Sequence, residues 1–351
     1  MREVVLKIGP RGRLKSFTFL QVERWMQEKK GFIPAVLSIF SSIWKVVVWI
    51  RHKLYQHKII SSVTVRPTVL NIGSIEVGGV GKTPLVMHLL ESLSCYKRAV
   101  LTRGYESWNG VGDEALMIQA KYPEVNVKVG KNRLQNAREL EKTDVEVLIL
   151  DDGWQYRKLK GDFSVAVLNK DFTKEPYLPR GRLRDLPSRL TEADLIVVTH
   201  PAEGKEYWEE ILRPYTLAPI IFAKYSWERI YWMGEQILLT PGDKVAVFCG
   251  IGSPDSFFQL IVDQGFEIVC SMILKDHEKP LNCHLEELIR VAKQRGAKAL
   301  LCTEKDFIKL EKSSTFPLGM VEINYNVIEG DTIYQSFLEA VRKGINERSK
   351  S

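Results

Sequence analysis

The chain has few cysteines and no C-x-x-C pair: Cys95, Cys249, Cys270, Cys283 and Cys302 are scattered, mostly in apolar runs such as VAVFCG and ALLCTE. This argues against a disulfide frame or a zinc site and fits buried, reduced thiols in a cytosolic compartment. Charge of one sign is not in great excess. The formal +7 leaves a mildly basic surface, compatible with anionic lipid or a phosphorylated substrate. Internal repeats and low-complexity segments are missing, which sets solenoids and disordered tails aside. With 45% apolar and 26% charged residues, neither disorder nor a polytopic membrane protein is favoured. A length of 351 residues suggests two domains, each with its own core.

One apolar run stands apart, 33-IPAVLSIFSSIWKVVVWI-50, flanked by Lys29-Lys30 and by Arg51-His52-Lys53. It is nearly long enough to span a bilayer. Ser38, Ser41, Ser42, Lys45 and His52 recur at three-to-four-residue steps, however, and form a polar stripe. The stripe predicts a helix lying in the membrane interface, with Phe40, Trp44 and Val47 among the residues on the lipid or core face. No small-residue cleavage site follows, so a removed signal peptide is not expected.

From residue 64 onward β-branched runs alternate with helical periodicity. VRPTVLNIG, KRAVLTRG, VEVLILDD, FSVAVLN, DLIVVTH and PIIFAKY read as buried strands, with helices near 83–95, 113–121, 131–142 and 204–213. This predicts an α/β fold, a P-loop NTPase-type mostly parallel sheet. RIYWMGEQILLT breaks the rhythm and reads as a hairpin around Met233-Gly234. A second set follows: KVAVFCG, FEIVCSMIL, KALLCTE and GMVEIN. The expected organisation is an extension and interfacial helix over 1–60, a P-loop domain over 61–225 and a hairpin linker over 226–240. A smaller α/β domain over 241–330 and a C-terminal helix and tail over 331–351 complete it.

In 78-GGVGKT-83, between a strand and a helix, backbone N–H groups and the helix N-terminus can surround an anion. Gly78, Gly79, Val80 and Gly81 form the loop, Lys82 reaches the outer phosphates, and the Thr83 hydroxyl can ligate Mg²⁺. The first glycine of the usual pattern is replaced by Glu76, which shifts the loop's opening rather than abolishing it. The strand 146-EVLILDDGWQ-155 ends in Asp151 and Asp152 at the edge where ligands collect in open α/β sheets. Adjacent strand residues point opposite ways, so only one of the two need face a metal directly. Alone, Asp113 reads as a helix N-cap and His277 as a surface-loop histidine. The basic run 180-RGRLRDLPSR-189 fits a phosphate clamp or a solvated face.

Together and in order, GSIEVGGVGKTP, RGYES, VGDEALMI, DDGWQ, LPRGRLRDLPSRL, VFCGIGSPDSF, KDHEKP and CTEKDFIKL resemble the tetraacyldisaccharide 4′-kinase family of lipid A biosynthesis. The resemblance covers about 33 to 310. It implies transfer of the ATP γ-phosphate to the 4′-hydroxyl of tetraacyldisaccharide 1-phosphate, giving lipid IVA at the cytoplasmic face of the inner membrane, with ATP and Mg²⁺ and without a nucleic-acid partner. Carried over residue by residue, it makes Asp113 and His277 the pair that activates the sugar hydroxyl. It makes Asp151 and Asp152 the paired acids, and Arg103, Gln155, Arg184 and Asp185 substrate-side residues. The chain departs from the family at Tyr156, commonly His, and at LPRGRLRD, often LPAGPLRE, where Arg180 and Arg182 are added. The loop alone also fits membrane-associated regulatory ATPases of the partitioning or septum-site type. Those carry a Lys immediately before the two glycines, where this chain has Val77, and lack a TEKD-bearing second domain.

Overall fold

The computed structural model describes residues 5–7, 32–104, 112–233, 236–252, 254–274, 280, 282–310 and 316–349. The chain divides into two compact units. Glu23–Tyr105, Ile118–Lys224 and Tyr325–Ser351 form one, and Met1–Val22, Glu106–Met117 and Tyr225–Asn324 the other.

In the first unit, β2 (Thr68–Gly73), β3 (Arg98–Thr102), β4 (Asn126–Val129), β5 (Val147–Leu150), β6 (Phe163–Leu168), β7 (Leu195–Thr199) and the start of β8 (Ile220–Met233) lie in the order β8-β7-β6-β2-β5-β3-β4. All the pairings along this order are parallel. Parallel strands covered on both faces read as continuous apolar runs, and β2, β3, β5 and β7 are buried at every position. Side chains such as Leu148, Leu150, Ile196 and Val198 fill two clusters, each contributing about 1.5–3 kcal/mol by leaving water. Because β5 inserts between β2 and β3 while β6 flanks β2 on its other side, the strand order reverses at β2. That is where a ligand crevice opens beyond the strand ends.

Helices α1 (Phe32–Gln56), α2 (Lys82–Ser92), α4 (Arg133–Leu140) and α5 (Lys205–Leu212) belong to this unit. The last helix, α9 (Asp331–Arg348), packs here too. It buries Tyr334, Phe337, Leu338, Val341 and Ile345, sets Phe337 edge-on to Phe163, and pairs Arg348 with Asp162.

In the second unit, β1 (Val5–Lys7), β9 (Lys244–Cys249), β10 (Glu267–Ile273), β11 (Ala299–Thr303) and β12 (Leu318–Glu329) lie in the order β1-β10-β9-β11-β12, again parallel. Helices α6 (Pro254–Asp263), α7 (Asn282–Gln294) and α8 (Glu304–Phe307) complete it, and α3 (Asp113–Lys121) begins in it. Two apolar clusters, one built on Phe248 and Met272 and one on Val245 and Val247, fill the core.

The hairpin expected around Met233-Gly234 does not form as read. β8 runs unbroken through Met233, and 236–240 carry no strand, while 234–235 lie outside the described residues. Ser226 and Glu228 look like a break in sequence but are the exposed members of a period-two alternation with Tyr225 and Trp227. The short strands β1 and β4 went unpredicted, since Asn126–Val129 has too little apolar pattern to announce itself. Cys249, Cys270 and Cys302 are buried, whereas Cys95 and Cys283 are exposed.

Candidate active site

The buried strand β2 ends at Gly73, and the chain then turns through Ser74–Gly81 into α2. Gly78 (φ 104°) and Gly81 (φ 90°) occupy the left-handed region that side chains avoid, so glycine is what lets the loop close around an anion. The loop's carbonyls are held from outside: Arg182 Nε donates to Val77 O (3.3 Å), Asn169 Nδ2 to Gly79 O (3.4 Å) and Thr199 Oγ1 to Val80 O (2.8 Å). Pro84 sits in the first helical turn, where its missing N–H has no intrahelical partner to lose.

The two carboxylates after β5 part ways. Asp151 is buried, and its Oδ2 accepts from Thr83 Oγ1 at 3.4 Å. Asp152 adopts φ 53°, a conformation Asp tolerates better than most residues, and turns to the basic side of the site. Both its oxygens accept from Arg184, one at 2.8 Å, and Lys82 Nζ lies 3.4 Å away. Burial works against its ionisation, but the Arg184 hydrogen bonds with the charges of Lys82 and Arg133 outweigh it and hold the carboxyl well below the usual carboxylate range. Asp151 with Thr83 therefore forms one oxygen pair, and Asp152 with Lys82 and Arg184 a separate ionic group.

The segment 177–185 borders the loop. Val77 N donates to Arg182 O (2.9 Å) and Arg184 N to Ile75 O (2.9 Å), a strand-like pairing that aligns LPRGRLRD with the phosphate loop. Gln155 Nε2 donates to Ser74 O and to Asp185 Oδ2, each at 3.1 Å. Asp185 is buried and receives His52 Nε2 at 2.7 Å, with Arg189 at 3.6 Å and the Leu186 N–H at 2.9 Å. Burial opposes its ionisation, and the His52 hydrogen bond followed by Arg189 overcomes that, holding the carboxyl below its ordinary value. Asp185 thus ties the site together from beneath. Arg103 follows β3 and is exposed. Tyr156, where the family commonly has His, accepts the Leu134 N–H of α4 at 2.9 Å.

Of the polar stripe of α1, Ser38, Ser41 and His52 face the protein, whereas Ser42 and Lys45 are exposed. Ser41 Oγ donates to Tyr177 O (2.7 Å), Arg180 Nη1 donates to Ser38 Oγ (2.8 Å), and Trp44 Nε1 donates to Arg184 O (3.2 Å). The apolar face points outward, with Phe40 55% and Val47 54% exposed. Trp44, expected on that face, belongs to both. Pro34–Gln56 is long and apolar enough to cross a membrane by length and composition, and little of its apolar stretch is buried.

In the second unit, Asp113 opens α3 fully buried, 3.1 Å from Lys309 Nζ. Lys309, also fully buried, reaches Asp306 Oδ1 at 3.3 Å, and Asp306 Oδ2 receives Thr303 Oγ1 (2.6 Å) and Gly250 N (2.8 Å). Lys305 adds a pair with Glu114 at 3.4 Å. The 303-TEKD-306 turn therefore anchors Asp113 through Lys309, a residue that sequence reading passed over. Its signal was the i, i+3 spacing from Asp306, which reads as ordinary surface patterning until burial is known. His277 lies outside the described residues.

A parallel α/β sheet with a glycine loop at its switch point, a lysine at the loop's end and a hydroxyl beside a strand-end carboxylate defines a P-loop nucleotide-binding protein. Within that class the chain belongs to the tetraacyldisaccharide-1-P 4′-kinase family (LpxK), whose sequence model matches residues 33–342. It is 36% identical over 301 residues to the tetraacyldisaccharide 4′-kinase of Chlamydia pneumoniae, covering 76% of this chain and 80% of that one. To the kinase of the same name from Chlamydia trachomatis it is 30% identical over 348 residues, covering 90% of each. The fold is similar to that of LpxK from Aquifex aeolicus solved in complex with ATP, with a TM-score of 0.69 at 24% identity, covering 90% of this chain and 99% of that one.

Proposed function

We propose that the protein transfers the γ-phosphate of ATP to the 4′-hydroxyl of tetraacyldisaccharide 1-phosphate, forming lipid IVA and ADP in lipid A biosynthesis. The observation that carries this is the placement of Thr83 against Asp151, and of Lys82 against Asp152, beneath a glycine loop in a chain of this family. In the reaction, the acceptor oxygen bonds to the γ-phosphorus as the bridging oxygen to ADP departs. The hydroxyl proton passes to the Asp113 and His277 pair. Lys82, turned from Asp152 to the phosphates, offsets the charge that develops on them. Arg184 and Gln155 hold the 177–185 segment against the loop, and Arg103 stays a substrate-side residue.

Thr83 and Asp151 fit a magnesium ion: both offer hard oxygen donors at the loop's end, and Mg²⁺ is commonly held by one or two such groups with phosphate and water. The ion supplies electrostatic stabilisation of the phosphate oxygens. Thr83→Ala is expected to act through the metal, so raising Mg²⁺ should partly restore turnover; a defect unmoved at any Mg²⁺ concentration assigns Thr83 another role. Incubating protein with γ-labelled ATP, Mg²⁺ and the disaccharide monophosphate, followed by chromatography of the lipid, tests the reaction. Label that never appears in the lipid rejects it.

The outward apolar face of α1 supports action at a membrane surface, the cytoplasmic face of the inner membrane. A substrate whose acyl chains are embedded in a bilayer leaves it at about 0.8 kcal/mol per exposed methylene, which favours bringing the enzyme to the lipid. Ile39, Phe40, Ile43 and Val47 changed together to Ser should weaken vesicle binding and raise KM for the lipid while ATP affinity holds. Trp44 is left in place because its indole also bonds Arg184 O. Unaltered vesicle binding would place the contact elsewhere.

A further inference from the structure

Glu76 stands where phosphate loops usually begin with glycine, and it is fully buried. Among the described residues neither carboxylate oxygen has a hydrogen-bond partner, and its ion pair is with Arg182 Nη2 at 3.7 Å. A wholly buried carboxylate without hydrogen bonds is costly, and burial pushes this one up to about 7 despite the opposing Arg182 charge. Such a group is out of place in a loop made for anions unless it acts on a cation. Arg182 is that cation. Its Nε is fixed on Val77 O at 3.3 Å, and its Nη2 stands 3.4 Å from where a Cβ on Gly78 would be. No hydrogen bond of Nη1 occurs among the described residues, and the side chain is 28% exposed. The neighbouring Arg180 is engaged elsewhere, on Ser38 of α1, so the two added arginines have different occupations.

We propose that Arg182 is a further phosphate-contacting residue, held on the rim of the loop by Glu76, where its guanidinium joins Lys82 in binding the terminal phosphate of the nucleotide. Arg182 Nη2 borders Gly78 and Lys82 ends the same loop, so a phosphate cradled by that loop would meet cations brought from two separate parts of the chain. A planar guanidinium suits this position because one N–H can stay on Val77 O while others meet phosphate oxygens. Glu76 acts through Arg182 and is a positioning residue. A glycine at 76 would leave the arginine without its anchor.

The inference rests on reading 73–83 as the phosphate loop, and the test separates the two. Dissociation constants for Mg-ATP and Mg-ADP, kcat, and the unfolding midpoint of the nucleotide-free protein would be measured for wild type, Lys82→Ala, Arg182→Gln, Arg182→Lys and Glu76→Gln. Arg182→Gln should weaken ATP about tenfold and ADP by less than about threefold, with Arg182→Lys recovering part of the difference. Glu76→Gln should show a smaller loss with the same preference for ATP. Equal weakening of both nucleotides, or a fall in midpoint with ATP binding intact, would reduce Arg182 to a loop staple and overturn the proposal. Should Lys82→Ala also bind ATP like wild type, the phosphate-loop reading itself fails.

Discussion

Lys82→Ala is expected to lower phosphoryl transfer by roughly 10³-fold or more while the protein stays folded. The Lys82 amine lies at the loop's end, 3.4 Å from Asp152. Removing it does not orphan the carboxylate, because Arg184 continues to bond both oxygens of Asp152. The unfolding midpoint should therefore move little, whereas the transition state loses a cation aimed at the phosphates. Turnover per folded molecule and the midpoint, measured together, check this. Near-normal turnover would remove the loop from the mechanism.

The second large effect concerns Asp113 and His277. Alcohols are almost never ionised near neutral pH, so a positioned base, oriented by a second group, is needed to accept the hydroxyl proton. Residues acting as one unit are non-additive. Asp113→Asn and His277→Ala should each lower kcat by roughly 10²-fold or more, and the double variant should be little worse than the poorer single. The structure sharpens the competing explanation beyond that of a helix cap. Asp113 is buried 3.1 Å from Lys309, so a purely structural role predicts a stability loss of about 3–5 kcal/mol with turnover per folded molecule intact. Lys309 keeps Asp306 as a partner in the variant, which favours folding well enough for kinetics. Strictly additive losses in ln kcat, or a defect confined to the midpoint, would return both residues to structural roles.

The glycine loop, the carboxylates after β5 and the parallel sheet were legible because each rests on local rules. Gly78 and Gly81 are demanded by backbone conformation, Lys82 and Thr83 by their distance along the chain from that turn, and the strands by unbroken apolar runs. That Asp151 and Asp152 part ways was legible, but its cause was not. β5 ends at Leu150, both lie in the turn after it, and Asp152 is set by its φ of 53° rather than by strand alternation, so which of the two faces Thr83 could not be read. That choice depends on Arg184 and Lys82, which reach Asp152 from other segments of the chain.

Pairings over long sequence separations were out of reach of any periodicity. The stripe on α1 predicted an amphipathic helix but not which side would meet the protein. Ser38, Ser41 and His52 turn inward because the carbonyls, the Arg180 side chain and the Asp185 carboxylate that satisfy them lie more than a hundred residues further on. In the same way, Lys309 looks like a surface lysine until Asp113 and Asp306 close around it, and Glu76 and Arg182 look like separate departures from a motif until the fold sets them 3.7 Å apart. Sequence determined the elements and the residue types that carry phosphate chemistry. Tertiary structure decided their partners, because a buried charge takes its meaning from groups that the chain must fold to bring within hydrogen-bonding distance.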